Sequence, residues 1–124
     1  MKKFLIAATL LAAATGQTFA ADVSGKLVLY TSQPNKDAQA TVDAFSAANP
    51  GVEIEWVRDG TTKIMAKLRA EFEAGAPKPD VLLIADMVTM EGLKSEGRLM
   101  AHEGADVSAY DPAIMDTDKT YFST

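Results

Sequence analysis

Hydrophobic and polar positions switch period along the chain, and each switch marks an element. Lys26 to Tyr30 (KLVLY) is a short apolar run with β-branched content and predicts a strand. Val52, Ile54 and Trp56 alternate with Glu53 and Glu55, which predicts a strand with one wet face near a sheet edge. Val81-Leu82-Leu83-Ile84 is apolar at every position, the pattern of a strand buried on both faces of a parallel sheet. Helical spacing fills the gaps. From Asp37, the residues Ala38, Val42, Phe45 and Ala48 share one face, and Asn49-Pro50-Gly51 stops the helix. Ile64, Leu68 and Phe72 repeat at four-residue spacing beside Met65, with Lys63, Lys67, Arg69, Glu71 and Glu73 on the other side. Gly75 ends that helix. Met87 to Ser95 predicts a third helix, with Met90 and Leu93 inward and Gly97 closing it.

Strand, helix, strand, helix, strand, helix predicts an α/β fold with a parallel sheet of βαβ units and right-handed crossovers. The wet-faced second strand belongs at an edge and the apolar third strand inside. The order 2-1-3 meets both demands and puts a topological switch point between strands one and three. Beyond Ala101 the pattern fades. Residues 106–118 are polar with one proline, and Tyr121-Phe122-Ser123-Thr124 reads as the start of an element. A helix-covered sheet of three strands is thin, so the chain is expected to be a fragment.

The amino terminus follows a different rule. Met1-Lys2-Lys3 is a basic start, Phe4 to Ala14 is apolar or small except for Thr9, and Thr18-Phe19-Ala20 precedes Ala21. This is the layout of a secretory signal peptide over residues 1–20, cleaved after Ala20 or, as second choice, after Ala21. The 11 residues from Phe4 to Ala14 reach only ~16 Å as a helix, against roughly 30 Å of hydrocarbon, so a membrane anchor is disfavoured. Residues 21–124 are then the mature, exported part, and the periplasm is the expected compartment.

Composition narrows the chemistry. The 124 residues carry 12 Lys and Arg against 17 Asp and Glu, a net charge of −5. Loss of Lys2 and Lys3 with the leader makes the remainder more acidic, which disfavours binding to a phosphate backbone. With no cysteine, disulfides, thiolate catalysis and zinc–thiolate sites are excluded. No dinucleotide fingerprint, P-loop or nucleophile elbow occurs, and the single His102 has no partner for nucleophilic catalysis. The expectation is a protein that is not an enzyme, with no cofactor and no metal ligands. His102 reads as a surface residue, and Asp111, Asp116 and Asp118 as a solvated loop without calcium-loop spacing.

Ligands of open parallel sheets gather at the carboxyl ends of the strands. Three loops meet there: Thr31, Ser32 and Gln33 in the first, Asp59, Gly60, Thr61 and Thr62 in the second, and Ala85 and Asp86 in the third. Short hydroxyls and the free N–H groups of helix starts make an anion cradle. Gly60 allows close backbone approach to a ligand. Helix capping is the commoner role for any one of these residues, with Thr61 or Thr62 capping the second helix and Asp86 the third, and it is their convergence on one sheet edge that argues for a ligand.

The motifs also form a familiar series. The export signal is followed by LVLYTSQ, AFSAANPGVEIEWVRDGTTKIMAKLRAE, APKPDVLLIAD and LKSEGRL, over about residues 26 to 100. This resembles the amino-terminal lobe of the solute-binding proteins of bacterial ABC importers, in particular the group that takes ferric iron, phosphonates and sugar phosphates. The resemblance implies part of the first lobe of a type II periplasmic binding protein, a monomer that closes on its ligand by a hinge. It also implies a small anionic ligand or ferric iron, and an ABC permease in the membrane as partner. Iron-binding members commonly carry a His just after the loop Gln; here Pro34 stands there and cannot coordinate metal. Ser32, Gln33, Thr61 and Thr62 suit an oxyanion such as a phosphonate or phosphate ester, and Asp86 suits a ligand amine or a helix cap. The rival readings are a self-contained exported α/β domain that binds a protein partner, and a fragment of a secreted hydrolase.

Overall fold

The computed structural model describes residues 23–123. The expected signal peptide and its cleavage site lie outside the described residues. Within them the chain runs β1 (Gly25–Thr31), α1 (Asn35–Ala48), β2 (Val52–Arg58), α2 (Thr61–Glu73), β3 (Val81–Leu83), α3 (Met87–Ser95) and a short 3-10 turn at Pro112–Ile114. The three strands form one parallel sheet in the order β2-β1-β3. The order expected from the polar face of β2 is therefore the observed one.

β1 is central because it is the least polar full-length strand. It pairs with β2 from Gly25↔Val52 to Thr31↔Arg58, and with β3 from Leu29↔Val81 to Thr31↔Leu83. Asp80 starts the second pairing. Its N–H donates to the Val28 carbonyl at 2.9 Å, and its Oδ2 accepts the Val28 N–H at 2.9 Å. Successive residues of β1 face opposite sides of the sheet. Tyr30 faces α2, where its hydroxyl donates to Glu71 Oε1 at 2.7 Å and Lys67 lies over its ring. The core gathers Leu29 and Tyr30 with Ala38 and Val42 of α1, Ile64 and Leu68 of α2, and Leu93 of α3, all buried. Helices α2 and α3 lie side by side, joined by the two-pronged Arg69–Glu96 pair at 3.1 and 3.0 Å. Both end as their glycines predict, with Gly75 and Gly97 each at φ 67, a conformation most side chains avoid.

Four expectations need correction. Helix α1 starts at Asn35, two residues before Asp37, because Pro34 presets the entry and its carbonyl takes the N–H groups of Asp37 and Ala38. Only Ala38 and Val42 of its apolar face are buried; Phe45 is 39% exposed. β3 is three residues long, and Val81 is 44% exposed, since β3 borders the sheet and has no strand on its outer side among the described residues. The Asp loop is not wholly solvated. Asp116 is 6% exposed, pairs with Lys94 Nζ at 2.5 Å, and accepts from the N–H and hydroxyl of Thr120. Asp118 joins the same ammonium at 2.9 Å, so residues 116–120 are tied to the side of α3. The last residues fold back on this loop through an antiparallel Met115↔Phe122 bridge.

Candidate functional site

The carboxyl edge of the sheet is built from the end of its central strand. Thr31 is fully buried, and its hydroxyl donates to the Leu83 carbonyl at 3.0 Å while accepting the Gln33 N–H at 3.1 Å. The next residue binds the third loop twice: the Ser32 N–H donates to the Leu83 carbonyl at 3.0 Å, and its Oγ accepts the Ala85 N–H at 2.9 Å. On the other side, Asp59 N–H donates to the Thr31 carbonyl at 3.3 Å and Arg58 Nε to the Gln33 carbonyl at 2.7 Å. The first loop is thus fixed from both flanks, at the carboxyl edge where ligands of open parallel sheets gather. Thr31 holds the loop from inside. Among the described residues the Ser32 O–H donates to no acceptor, and Gln33 buries its Oε1 with no hydrogen-bond partner.

The second loop corrects the capping expectation for Thr61 and Thr62. Gly60 occupies the cap position, and no side chain caps α2. The Gly60 carbonyl takes the N–H groups of Lys63 and Ile64, both at 3.0 Å, and the Gly60 N–H donates to Asp59 Oδ1 at 2.7 Å. Thr61 and Thr62 are therefore the first residues of the helix, where N–H groups have no acceptor in the helix itself. A Cβ added to Gly60 would meet nothing within 4 Å, so the loop is open to approach there. The Gly60 N–H, more than Lys63, holds the Asp59 carboxyl below its ordinary value, and Asp59 stays ionised beside the site.

The third loop behaves differently. Asp86 Oδ1 accepts the Thr89 N–H at 2.7 Å and Oδ2 accepts the Thr89 hydroxyl at 2.9 Å. Both oxygens of Asp86 are engaged in capping α3. Helices α1 and α2 begin without a side-chain cap, so among the described residues two of the three α-helix starts present free N–H groups.

Thr61 and Thr62 also open onto a groove of about 480 Å³ between α2 and α3, with Met65, Val88 and Thr89 among its walls. The seven candidates therefore split. Thr31, Ser32 and Gln33 knit the first loop to its neighbours, Gly60, Thr61 and Thr62 form an uncapped helix start, and Asp86 closes another. His102 is exposed, and among the described residues no three His, Cys, Asp or Glu side chains gather as a metal would require.

Sequence reasoning passed over Arg58. It ends β2, one residue before the loop that was singled out, and it reaches across to the first loop. Among the described residues its Nη1 and Nη2 have no hydrogen-bond partner and no carboxylate pairs with it. The available signal was its position: a cation at the carboxyl end of a strand, beside a loop already read as anion-binding.

None of the curated proteins compared with the chain matches it. The profile of the bacterial extracellular solute-binding protein family matches residues 30–123, which takes in every loop of the carboxyl edge. With that match over most of its length, and with a β2-β1-β3 parallel sheet whose loops converge on one edge, the chain belongs to the bacterial extracellular solute-binding proteins.

Proposed function

We propose that this chain captures a small oxyanion, a phosphonate or a phosphate ester, outside the cytoplasm and delivers it to an ABC permease. Residues 21–124 supply part of the amino-terminal lobe in this reading, and residues 1–20, basic then apolar then small, direct export. The observation that carries it is the uncapped start of α2 at Gly60-Thr61-Thr62, set beside the cross-tied first loop. Free N–H groups, the positive end of the helix dipole and two hydroxyls complement an anion without any bond chemistry. Ferric iron is the weaker candidate. The Pro34 side chain offers no metal-ligating atom, its carbonyl is taken by the N–H groups of Asp37 and Ala38, and the Arg58 cation faces the same edge. Hinge closure of a second lobe over this edge then buries the solute.

The test is thermal unfolding of the whole protein with methylphosphonate, glycerol 3-phosphate or ferric citrate, each followed by analysis of the recovered ligand. A melting temperature that rises with oxyanion concentration, with the ligand recovered unchanged, supports capture. A rise with iron alone, or conversion of the ester to free phosphate, contradicts it.

A further inference from the structure

Asp59–Gly60 is the one Asp–Gly step in the sequence, and the fold brings its two reactive groups into contact. The Gly60 N–H donates to Oδ1 of Asp59 at 2.7 Å, and among the described residues it has no other acceptor. An amide nitrogen resting against the carboxyl group of the preceding residue stands one bond from closing a five-membered ring. At several other aspartates the following nitrogen is engaged or lacks its proton. Ala38 after Asp37 donates to the Pro34 carbonyl, and Lys119 after Asp118 donates to the Asp116 carbonyl. Ala44 after Asp43 lies inside α1, and Asp111 precedes Pro112. Space is open at Gly60 as well. The Asp59 side chain is 45% exposed, Gly60 is exposed, and a Cβ added to Gly60 would meet nothing within 4 Å. Water can leave and enter there.

We propose that Asp59–Gly60 is a site of spontaneous backbone modification, at which the Gly60 nitrogen bonds to Asp59 Cγ to form a succinimide that water reopens to isoaspartate. The step needs no co-reactant. The N–Cγ bond forms as the Cγ–OH bond of the protonated carboxyl breaks, and the amide proton leaves with that hydroxyl as water. Water then adds to either ring carbonyl. Addition at Cγ restores aspartate, and addition at the α-carbonyl leaves the chain running through the side chain. Isoaspartate therefore puts one extra methylene in the backbone between Asp59 and Gly60. The Asp59 N–H bond to the Thr31 carbonyl and the Gly60 carbonyl's bonds to the Lys63 and Ile64 N–H groups then no longer share one register, and the start of α2 loosens. Only the protonated carboxyl can lose its hydroxyl. The Gly60 N–H first, then Lys63 of α2 and Arg58 of β2, favour the ionised form and hold Asp59 below its ordinary 3.8, so the reaction is faster in mild acid than in alkali. The inference stands apart from the identity of the solute.

The whole protein is aged at about pH 5 and about pH 8 in oxygen-18 water, then digested and mapped by mass spectrometry with electron-transfer fragmentation. This reads heavy oxygen and isoaspartate residue by residue. Both are expected at Asp59 at a rate roughly tenfold or more above that at Asp43 or Asp106, because the nitrogen is already in place. The rate is expected to be higher at the acid pH, and the isoaspartate form to melt at a lower temperature than the fresh protein. Gly60→Ala fits the loop's φ of −62 and crowds the ring, so it is expected to slow the reaction roughly tenfold. Asp59→Asn replaces the leaving hydroxyl with ammonia and is expected to convert to aspartate and isoaspartate at the alkaline pH faster than the wild type reacts there. Labelling at Asp59 no faster than at Asp43 and Asp106 overturns the proposal, as does a Gly60→Ala variant that labels as fast as the wild type or an Asp59→Asn variant that stays unconverted. So does a rate in the folded protein more than roughly a hundredfold below that of the free peptide Val57–Lys63, since the fold would then shield the pair instead of presenting it.

Discussion

Ser32 Oγ accepts the backbone N–H of Ala85 at 2.9 Å, and this one bond ties the first loop of the sheet edge to the third. The residues are 53 apart in the chain and meet only because β1 and β3 are neighbours. Ser32→Ala removes the acceptor and leaves the Ala85 N–H to water. The expected loss of stability is about 0.5–1.5 kcal/mol. Chemical denaturation with an unchanged slope and a lower midpoint checks it.

The double substitution Thr61→Ala and Thr62→Ala separates ligand binding from capping. Since Gly60 holds the cap position and no side chain caps α2, stability is expected to change by less than about 0.5 kcal/mol. Binding of an oxyanion is expected to weaken roughly threefold to tenfold for each lost hydroxyl bond. Calorimetry reads the affinity and thermal melting the stability. A fall in stability with unchanged affinity would return these residues to a structural role.

Asp86 offers the opposite case. Both its oxygens are engaged by Thr89 at the start of α3. Asp86→Ala is expected to cost about 0.5–2 kcal/mol, and Asp86→Ser to recover most of it by capping again. Solute affinity is expected to stay unchanged in the Ser variant; a loss there would place Asp86 among the ligand contacts.

The Lys94–Asp116 pair sets an acid limit on stability. Burial opposes the charge on Asp116, but Lys94 and Thr120 outweigh it and hold the carboxyl below its ordinary 3.8. A carboxyl lowered by folding stabilises the fold above 3.8, and that contribution is lost as pH falls from 3.8 toward the folded value. Lys94 is raised above 10.5 by Asp116 and then Asp118, so its share persists through neutral pH and is lost only above 10.5. Asp116→Asn is expected to lower the melting temperature at pH 7 and to flatten its decline below pH 3.8. A decline as steep as in the wild type would mean that other carboxyls set the acid limit.

The fold was legible where a local pattern decides it. Alternation in Val52–Trp56 was enough to put β2 at an edge beside β1, whereas the apolar run at Val81–Ile84 gave a strand but not its place, since β3 borders the sheet among the described residues. Gly75 and Gly97 marked helix ends because their backbone conformation is a property of the residue itself. The failures arise where a partner is distant. Asp116 looked like loop because nothing near it in sequence signals Lys94, 22 residues away. Arg58 looked like an ordinary strand end because its anchor, Gln33, lies 25 residues back. Thr61 looked like a cap because hydroxyl residues commonly are caps, whereas the loop uses Asp59 and Gly60 instead. Candidate loops could be read from the sequence, but not the division of labour among their side chains.

Amide chemical-shift mapping of the whole protein during titration with glycerol 3-phosphate tests the proposed site most directly. The largest shifts are expected at the free N–H groups of Thr61 and Thr62, with smaller ones at Ser32, Gln33 and Arg58, and none around Lys94 and Asp116. Saturable shifts centred instead on the exposed groove beside Met87, Val88 and Tyr121, or no shifts at all, would contradict an oxyanion site at the carboxyl edge of this sheet.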